Sequence, residues 1–470
     1  KAWIRAAGEG ETVKPWDRKG FRLPGGAPYT REGFELFLGA SAMTHARTQG
    51  CYPAARALLS AVYEGALVPF DQALRIEARH FASVLLDPTA EAMIRTLFLD
   101  KQALEKGASR PAGQPDARVS RLGVLGAGMM GAGIAEVAAQ AGIDVVLIDR
   151  DAESAERGRA RIAESLEGQV AKRRMGAEAR DAALARVTAT EDYAALSGCD
   201  LLIEAVFEDP ALKAEVTRRA AEHLPAEAIL ATNTSTLPVS ELAGAAPDPA
   251  RFIGIHFFSP VPKMMLVEII KGRGTGPAAV AKALDFVRQI SKTPIVVNDA
   301  RFFYANRCII PYVNEGLTMV TEGIRPALVE NAARQMGMPV GPLQLVDETS
   351  LSLGLSIEEA AAAALGAAYR RTGADELLEE MVERQERPGR KAGAGMYAYD
   401  AKGRRVSLWP GLAEIWPPAA EQPPVARVKE RLQMIQALEA VRALEEGVLE
   451  DVREGDVGAI LGWGFAPWSG

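Results

Sequence analysis

A doubly wound, mostly parallel α/β sheet followed by an all-helical region is the fold this sequence predicts, and three observations predict it. Between residues 120 and 298, short apolar runs alternate with amphipathic stretches, the pattern of strands joined by crossover helices. The first such unit contains Gly126-Ala127-Gly128-Met129-Met130-Gly131 between an apolar run and small residues at helical spacing. After Asp299 the strand-like runs stop and helical periodicity takes over.

The stretch from Arg121 to Arg150, RLGVLGAGMMGAGIAEVAAQAGIDVVLIDR, reads as strand, glycine turn, helix, strand and acid. Gly126 permits a tight turn, Gly128 lets a pyrophosphate approach the backbone, and Gly131 lets the helix pack closely on the strand. Met129 and Met130 stand at the helix N-terminus, whose unpaired N–H groups suit phosphates. Asp149 lies 18 residues beyond Gly131, close to the spacing of a carboxylate that holds a ribose 2′-OH. Together these point to a dinucleotide. Asp149 selects NAD over NADP, because a 2′-phosphate would meet its negative charge.

The remaining elements follow in order. Ala54 to Glu64 and Phe70 to Leu86 predict helices, and 107–119 (GASRPAGQPDARV) reads as a linker. Further strands are expected at Leu201–Val206, Ile229–Thr232, Phe252–Phe257, Leu266–Ile270 and Pro294–Val297. Helices are expected at 152–174, 178–184, 210–224 and 275–290, then at 302–322, 326–336 and 357–369. A polar, proline-containing loop is expected from the glycine-rich turn at 389–397 to Pro424. Arg307 to Glu330 can be laid over Arg431 to Glu454 at an offset of 124, which brings Glu315, Glu322 and Gly323 onto Glu439, Glu446 and Gly447. With one more residue inserted, Gly337–Pro342 meets Gly462–Pro467, a duplicated helical unit whose second copy ends early.

The net charge of −7 argues against nucleic acid as a partner, and no run reads as long and apolar enough to span a membrane. Cys51, Cys199 and Cys308 are far apart, with no metal spacing, which suggests a reducing, cytoplasmic setting. Lys1 is not methionine, KAWIRAAG reads as mid-helix and GWGFAPWSG ends in a turn, so both ends are expected to be cuts.

Only four histidines are present: His45, His80, His223 and His256. His256 alone sits near a strand end, where an α/β sheet places its ligands. It reads either as a base or as a structural histidine. Glu268, a lone acid in an apolar strand, reads as its carboxylate partner or as an outward acid on an edge. Ser235 could meet a substrate oxygen or cap a helix. Asn306 could donate to a carbonyl where charge develops or make an interdomain bond. Glu204 is a further carboxylate at a strand end, expected to line the cofactor cleft. Asp71, Glu77 and Glu91 read as solvated helix faces.

GVLGAGMMGAGIA, LLIEAVFED, ATNTSTLP, GIHFFSPVPKMMLVEII and YANR, in this order, resemble the 3-hydroxyacyl-CoA dehydrogenases of fatty-acid β-oxidation. The match covers about 119–406. It implies a Rossmann-type NAD-binding domain at 119–298 and a helical domain at 299–406, similar to that of 6-phosphogluconate dehydrogenase. A truncated second helical repeat would then occupy 407–470. It implies an active site of Ser235, His256, Glu268 and Asn306, and a cofactor site at Gly126, Gly128, Gly131 and Asp149, with Glu204 nearby. The flanks at 1–118 resemble the connecting region of multifunctional fatty-acid oxidation enzymes, in which a crotonase-type hydratase precedes the dehydrogenase. The resemblance thus implies an acyl-CoA substrate, a homodimer through the helical domains and a thiolase subunit for the parent protein. Hydratase activity or a non-catalytic assembly role are the alternatives. Arg301-Phe302 stands where many members have Pro-Gly, a departure that bears on acyl-chain fit and interdomain flexibility.

Overall fold

A computed structural model of the chain describes residues 13–470. KAWIRAAG, read above as mid-helix, lies outside them. The first described helices are α1 (Arg31–Thr48), α2 (Pro53–Gly65) and α3 (Phe70–Leu85). Neither α2 nor α3 buries a residue. Asp71, Glu77 and Glu91 are exposed on this segment. The stretch at 107–119 is pinned rather than free: Arg110 clamps both oxygens of Asp285, at 2.9 and 2.8 Å.

Eight strands form one sheet: β1 (Arg121–Leu125), β2 (Asp144–Ile148), β3 (Val187–Thr190), β4 (Leu201–Glu204), β5 (Ile229–Thr232), β6 (Phe252–Phe257), β7 (Leu266–Lys271) and β8 (Thr293–Asn298). Their spatial order is β3-β2-β1-β4-β5-β6-β7-β8. Every pairing is parallel except β6 with β7. Helix α4 (Met129–Gln140) leaves β1 where the strand order reverses, the crevice in which such sheets bind ligands. Central strands β4, β5 and β6 are buried at every residue, as expected of strands covered on both faces. The periodicity did not predict β3. Only Val187 of its four residues is buried, so this polar edge strand shows no apolar run.

The helical region opens with α5 (Ala305–Thr321) and α6 (Pro326–Met336). The expected absence of strands after Asp299 is corrected by a small hairpin, β9 (Tyr397–Tyr399) with β10 (Arg405–Leu408). Its strands are too short to show alternation, and β10 is mostly exposed. The alanine-rich helix begins at Leu351, earlier than expected. By length and composition, 351–368 is apolar enough to cross a membrane, with mean hydropathy 1.3 and 11% of the window buried, contrary to the expectation that no run qualifies. Its Glu358 is tied to the rest of the domain by Asn314 and Tyr369, both at 2.7 Å.

The repeat folds as two helix pairs. α7 (Val425–Glu445) lies against α5, and α8 (Val452–Trp463) follows it. Gly323 and Gly447 both take positive φ, +85° and +70°. The second helices match less simply than expected. The left-handed glycine that ends α6 is Gly337, and the one that ends α8 is Gly464 rather than Gly462. Gly462 is instead buried within α8.

α8 carries a buried carboxyl group, Glu454, which accepts from Val296 N at 3.0 Å and Ser109 Oγ at 2.5 Å. Burial pushes it up to about 7. Between the ordinary value and about 7 the folded chain holds a proton that the unfolded chain has released, so stability falls as pH rises through this window. Glu454→Gln should therefore stabilise the protein more at pH 8 than at pH 5, by on the order of 2 kcal/mol. Urea unfolding at the two pH values reads the difference, and identical gains at both contradict it.

Candidate active site

The glycine turn is built for a ligand with a phosphate backbone. Gly126 has φ +94°, and a β-carbon there would stand 2.6 Å from the Ala205 carbonyl oxygen. A β-carbon on Gly131 would stand 1.8 Å from the Gly126 carbonyl oxygen, so α4 can approach β1 only without one. Gly128 is the opposite case: it is exposed, and a β-carbon there would meet nothing within 4 Å. That open space lies at the N-terminus of α4, where first-turn N–H groups have no intrahelical partner. Met130 packs on the core, whereas Met129 is 70% exposed at the mouth. Asp149 ends β2 and accepts from Ala127 N at 2.7 Å, closing the turn while each carboxylate oxygen keeps a free lone pair. These residues fit a dinucleotide.

The proton-handling residues come from three elements. His256 and Glu268 are directly opposed on the antiparallel pair β6 and β7. His256 Nδ1 lies 2.7 Å from Glu268 Oε2, and its Nε2 lies 3.1 Å from Ser235 Oγ. The carboxylate must accept, so Nδ1 carries the proton and the Nε2 lone pair faces Ser235. Glu268 is fully buried, and its other oxygen accepts from Ala305 N at 2.9 Å and Tyr304 N at 3.3 Å. The N-terminal turn of α5 therefore holds the carboxylate from behind. Asn306 donates from Nδ2 to the Ser235 carbonyl at 2.9 Å and keeps a second N–H. The rings of Phe258 and Phe303 lie 4.6 and 5.9 Å from that of His256.

The loop between β6 and β7 is held by a cation that has no carboxylate partner among the described residues. Lys292 is buried and donates to the carbonyls of Val261 (2.7 Å) and Met264 (2.5 Å). Burial lowers its ammonium to about 8. Val261 also touches α4, where a β-carbon on Gly133 would come within 2.9 Å of it. The loop that joins His256 to Glu268 thus rests on the dinucleotide helix.

One sequence expectation changes, and one residue at the site was not expected. Glu204 does not line the cleft: it is 1% exposed, and Lys213 Nζ (2.9 Å), Thr232 Oγ1 (2.7 Å) and Val206 N (2.7 Å) occupy its oxygens. As the last residue of a wholly buried strand, it anchors β4 to β5. A further carboxylate beside Ser235 is Glu208, which the periodicity did not single out. It accepts from Ser235 N (2.9 Å), Thr236 N (3.2 Å) and the Thr234 hydroxyl (2.5 Å), and so shapes the Ser235 loop. Burial raises its carboxyl group, but Lys213 and the threonine outweigh that and hold it below the usual value. Its position in a loop at the carboxyl end of β4 was the available signal. The other histidines stand apart: His45 and His223 are exposed, and His80 pairs with Glu64 at 2.9 Å.

The turn before α5 contains Arg301-Phe302, the pair that departs from the family pattern. Phe302 and Phe303 have φ of +65° and +52°, a region where a side chain costs about 1–2 kcal/mol per residue. A glycine would adopt it freely.

Comparison with known proteins decides the family. Residues 121–300 match 3-hydroxyacyl-CoA dehydrogenase, NAD binding domain, and residues 303–399 match 3-hydroxyacyl-CoA dehydrogenase, C-terminal domain. The chain belongs to the 3-hydroxyacyl-CoA dehydrogenase family. This dehydrogenase is 35% identical to FadB2 of M. tuberculosis, over 60% of this chain and 99% of that one, with a TM-score of 0.56. It is 33% identical to (S)-3-hydroxybutyryl-CoA dehydrogenase PaaH1 of Ralstonia eutropha, over 60% and 100%, with a TM-score of 0.56. The dehydrogenase part of multifunctional enzyme 1 from C. elegans is 26% identical, over 78% of this chain and 86% of that one, with a TM-score of 0.55. The dehydrogenase is an NAD-dependent oxidoreductase that acts on 3-hydroxyacyl-CoA.

Proposed function

We propose that this dehydrogenase oxidises (S)-3-hydroxyacyl-CoA with His256 as the base. The observation that carries this is the line Ser235–His256–Glu268, closed by the backbone of α5. Its Nε2 takes the hydroxyl proton as the C3–H bond breaks and the C3=O bond forms. Bound NAD⁺ supplies the hydride acceptor. Glu268 holds the tautomer and stabilises the imidazolium that results. Ser235 positions the reacting oxygen, and the second N–H of Asn306 donates to the thioester carbonyl. The N–H groups at Gly128, Met129, Met130 and Gly131 serve the pyrophosphate, and Asp149 serves the ribose. NAD should be used in strong preference to NADP, and equal rates with both cofactors contradict the role of Asp149.

The reading assigns cofactor binding to 119–298, substrate closure to 299–406, support to 407–470 and a connecting role to 1–118. A multifunctional parent, a homodimer through exposed helical faces, a thiolase subunit and a cytoplasmic location belong to the same proposal. Two observations support the multifunctional part: the similarity to the C. elegans dehydrogenase part, and the exposure of Phe34, Leu58, Phe81 and Leu86 on and beside α1–α3. The test is formation of NADH from 3-hydroxybutyryl-CoA, run beside hydration of crotonyl-CoA. The proposal expects the first activity without the second; hydration without NADH formation overturns it.

A further inference from the structure

The two copies of the helical unit grip each other through reciprocal ion pairs. Arg307 of α5 binds Glu439 and Glu446 of the second copy, each at 2.6 Å. Arg431 of α7 binds Glu315 and Glu322 of the first copy, at 2.6 and 2.5 Å. The sequence offset of 124 maps one triad onto the other. The chemistry is the same at both ends of the helix pair, but the location is not. Arg307 directly follows Asn306. The Arg431 triad lies further along α5: its Glu315 and Glu322 stand 8 and 15 residues beyond Arg307, about 12 and 23 Å at 1.5 Å per residue.

The second copy also seats the residue that begins this turn. Tyr304 is 1% exposed, donates its hydroxyl to the Gly455 carbonyl at 3.1 Å, and lies 5.4 Å from the Trp463 ring. A β-carbon on Gly458 would meet Ile295 of β8 at 2.8 Å and Tyr304 at 3.3 Å. One on Gly462 would meet Leu266 of β7 at 2.8 Å. The glycine face of α8 therefore lies directly on Tyr304 and on the strands beside Glu268.

We propose that the second repeat positions the catalytic helix. Arg307, held by Glu439 and Glu446, fixes the N-terminal turn of α5 and with it the two N–H groups that hold Glu268 behind His256. This rests on the assignment of His256 as base. Arg307 touches no reacting atom; it is a positioning residue. Small misplacements at such a site are costly to rate, because the base must stay within hydrogen-bond reach of the proton it takes.

The internal duplication supplies its own control. Arg307→Gln and Arg431→Gln remove matched ion pairs, so both should lower the thermal midpoint by similar amounts. Only Arg307→Gln should lower kcat, by roughly ten- to a hundredfold with KM for NAD unchanged. Arg431→Gln should stay within about twofold of wild type, because its ion pairs hold α5 two turns or more beyond the N–H groups that bind Glu268. If Arg307→Gln fails to fold, Glu446→Gln against Glu322→Gln gives a milder matched comparison, with the same asymmetry expected. Equal kcat losses in the two members of a pair, or none in either, overturn the proposal. Near-normal turnover in His256→Gln would instead remove the base assignment, an outcome independent of the arginine comparison.

Discussion

His256→Gln is expected to lower turnover by about 10²- to 10⁴-fold, the usual range for a positioned general base. Glutamine keeps a hydrogen-bond donor near Glu268, which is fully buried and would otherwise lose the donor to its Oε2. An alanine there would leave Oε2 without its donor while Ala305 N and Tyr304 N still hold the other oxygen, and would confuse instability with lost chemistry. Glutamine cannot take up a proton as imidazole does, so its effect reads the base directly. NADH affinity should not change, because the glycine turn joins β1 to α4 and Asp149 follows β2, whereas His256 lies on β6. Steady-state rates with NADH and acetoacetyl-CoA, together with NADH fluorescence titration, measure both quantities.

Gly131→Ala should strike the other half of the site. The new methyl group would stand 1.8 Å from a backbone oxygen and 3.3 Å from Val124 Cγ1, so the helix or the turn must shift. Overpacking of this kind costs about 1–3 kcal/mol in stability. It also moves the N–H groups that the pyrophosphate needs, and a loss of about 3 kcal/mol of binding is on the order of a hundredfold in affinity. Gly128→Ala separates the two effects. Its β-carbon meets nothing in the protein, so the thermal midpoint should hold while NADH binding falls. Unchanged affinity in both variants contradicts the placement of the dinucleotide.

The strands that carry the site were legible because they are buried on both faces and read as unbroken apolar runs. β5 and β6 fall where the pattern put them, and the glycine spacing marked α4. β3 and the hairpin of β9 and β10 were not legible, because short exposed strands leave no apolar signature. At the site, His256 stood out by scarcity and position, and Glu268 by its apolar neighbours. Glu204 was misread for the same reason: an acid in a buried strand signals a partner, and here the partner is Lys213. Glu208 sits in a loop, where an acid looks ordinary. Its role lies in backbone N–H groups that no side-chain pattern reveals. The reciprocal triads of the repeat were half visible. The offset matched the residues, but only the fold shows that each arginine reaches across to the other copy.

The central claim is that Ser235, His256 and Glu268 carry proton transfer beside the dinucleotide turn. A single-turnover experiment tests it most directly: enzyme preloaded with NADH is mixed with acetoacetyl-CoA, for wild type and His256→Gln in parallel. The account predicts that wild type oxidises its bound NADH, while the variant binds NADH equally well and leaves it unoxidised on the same timescale. Equal rates of NADH oxidation in the two proteins would contradict it.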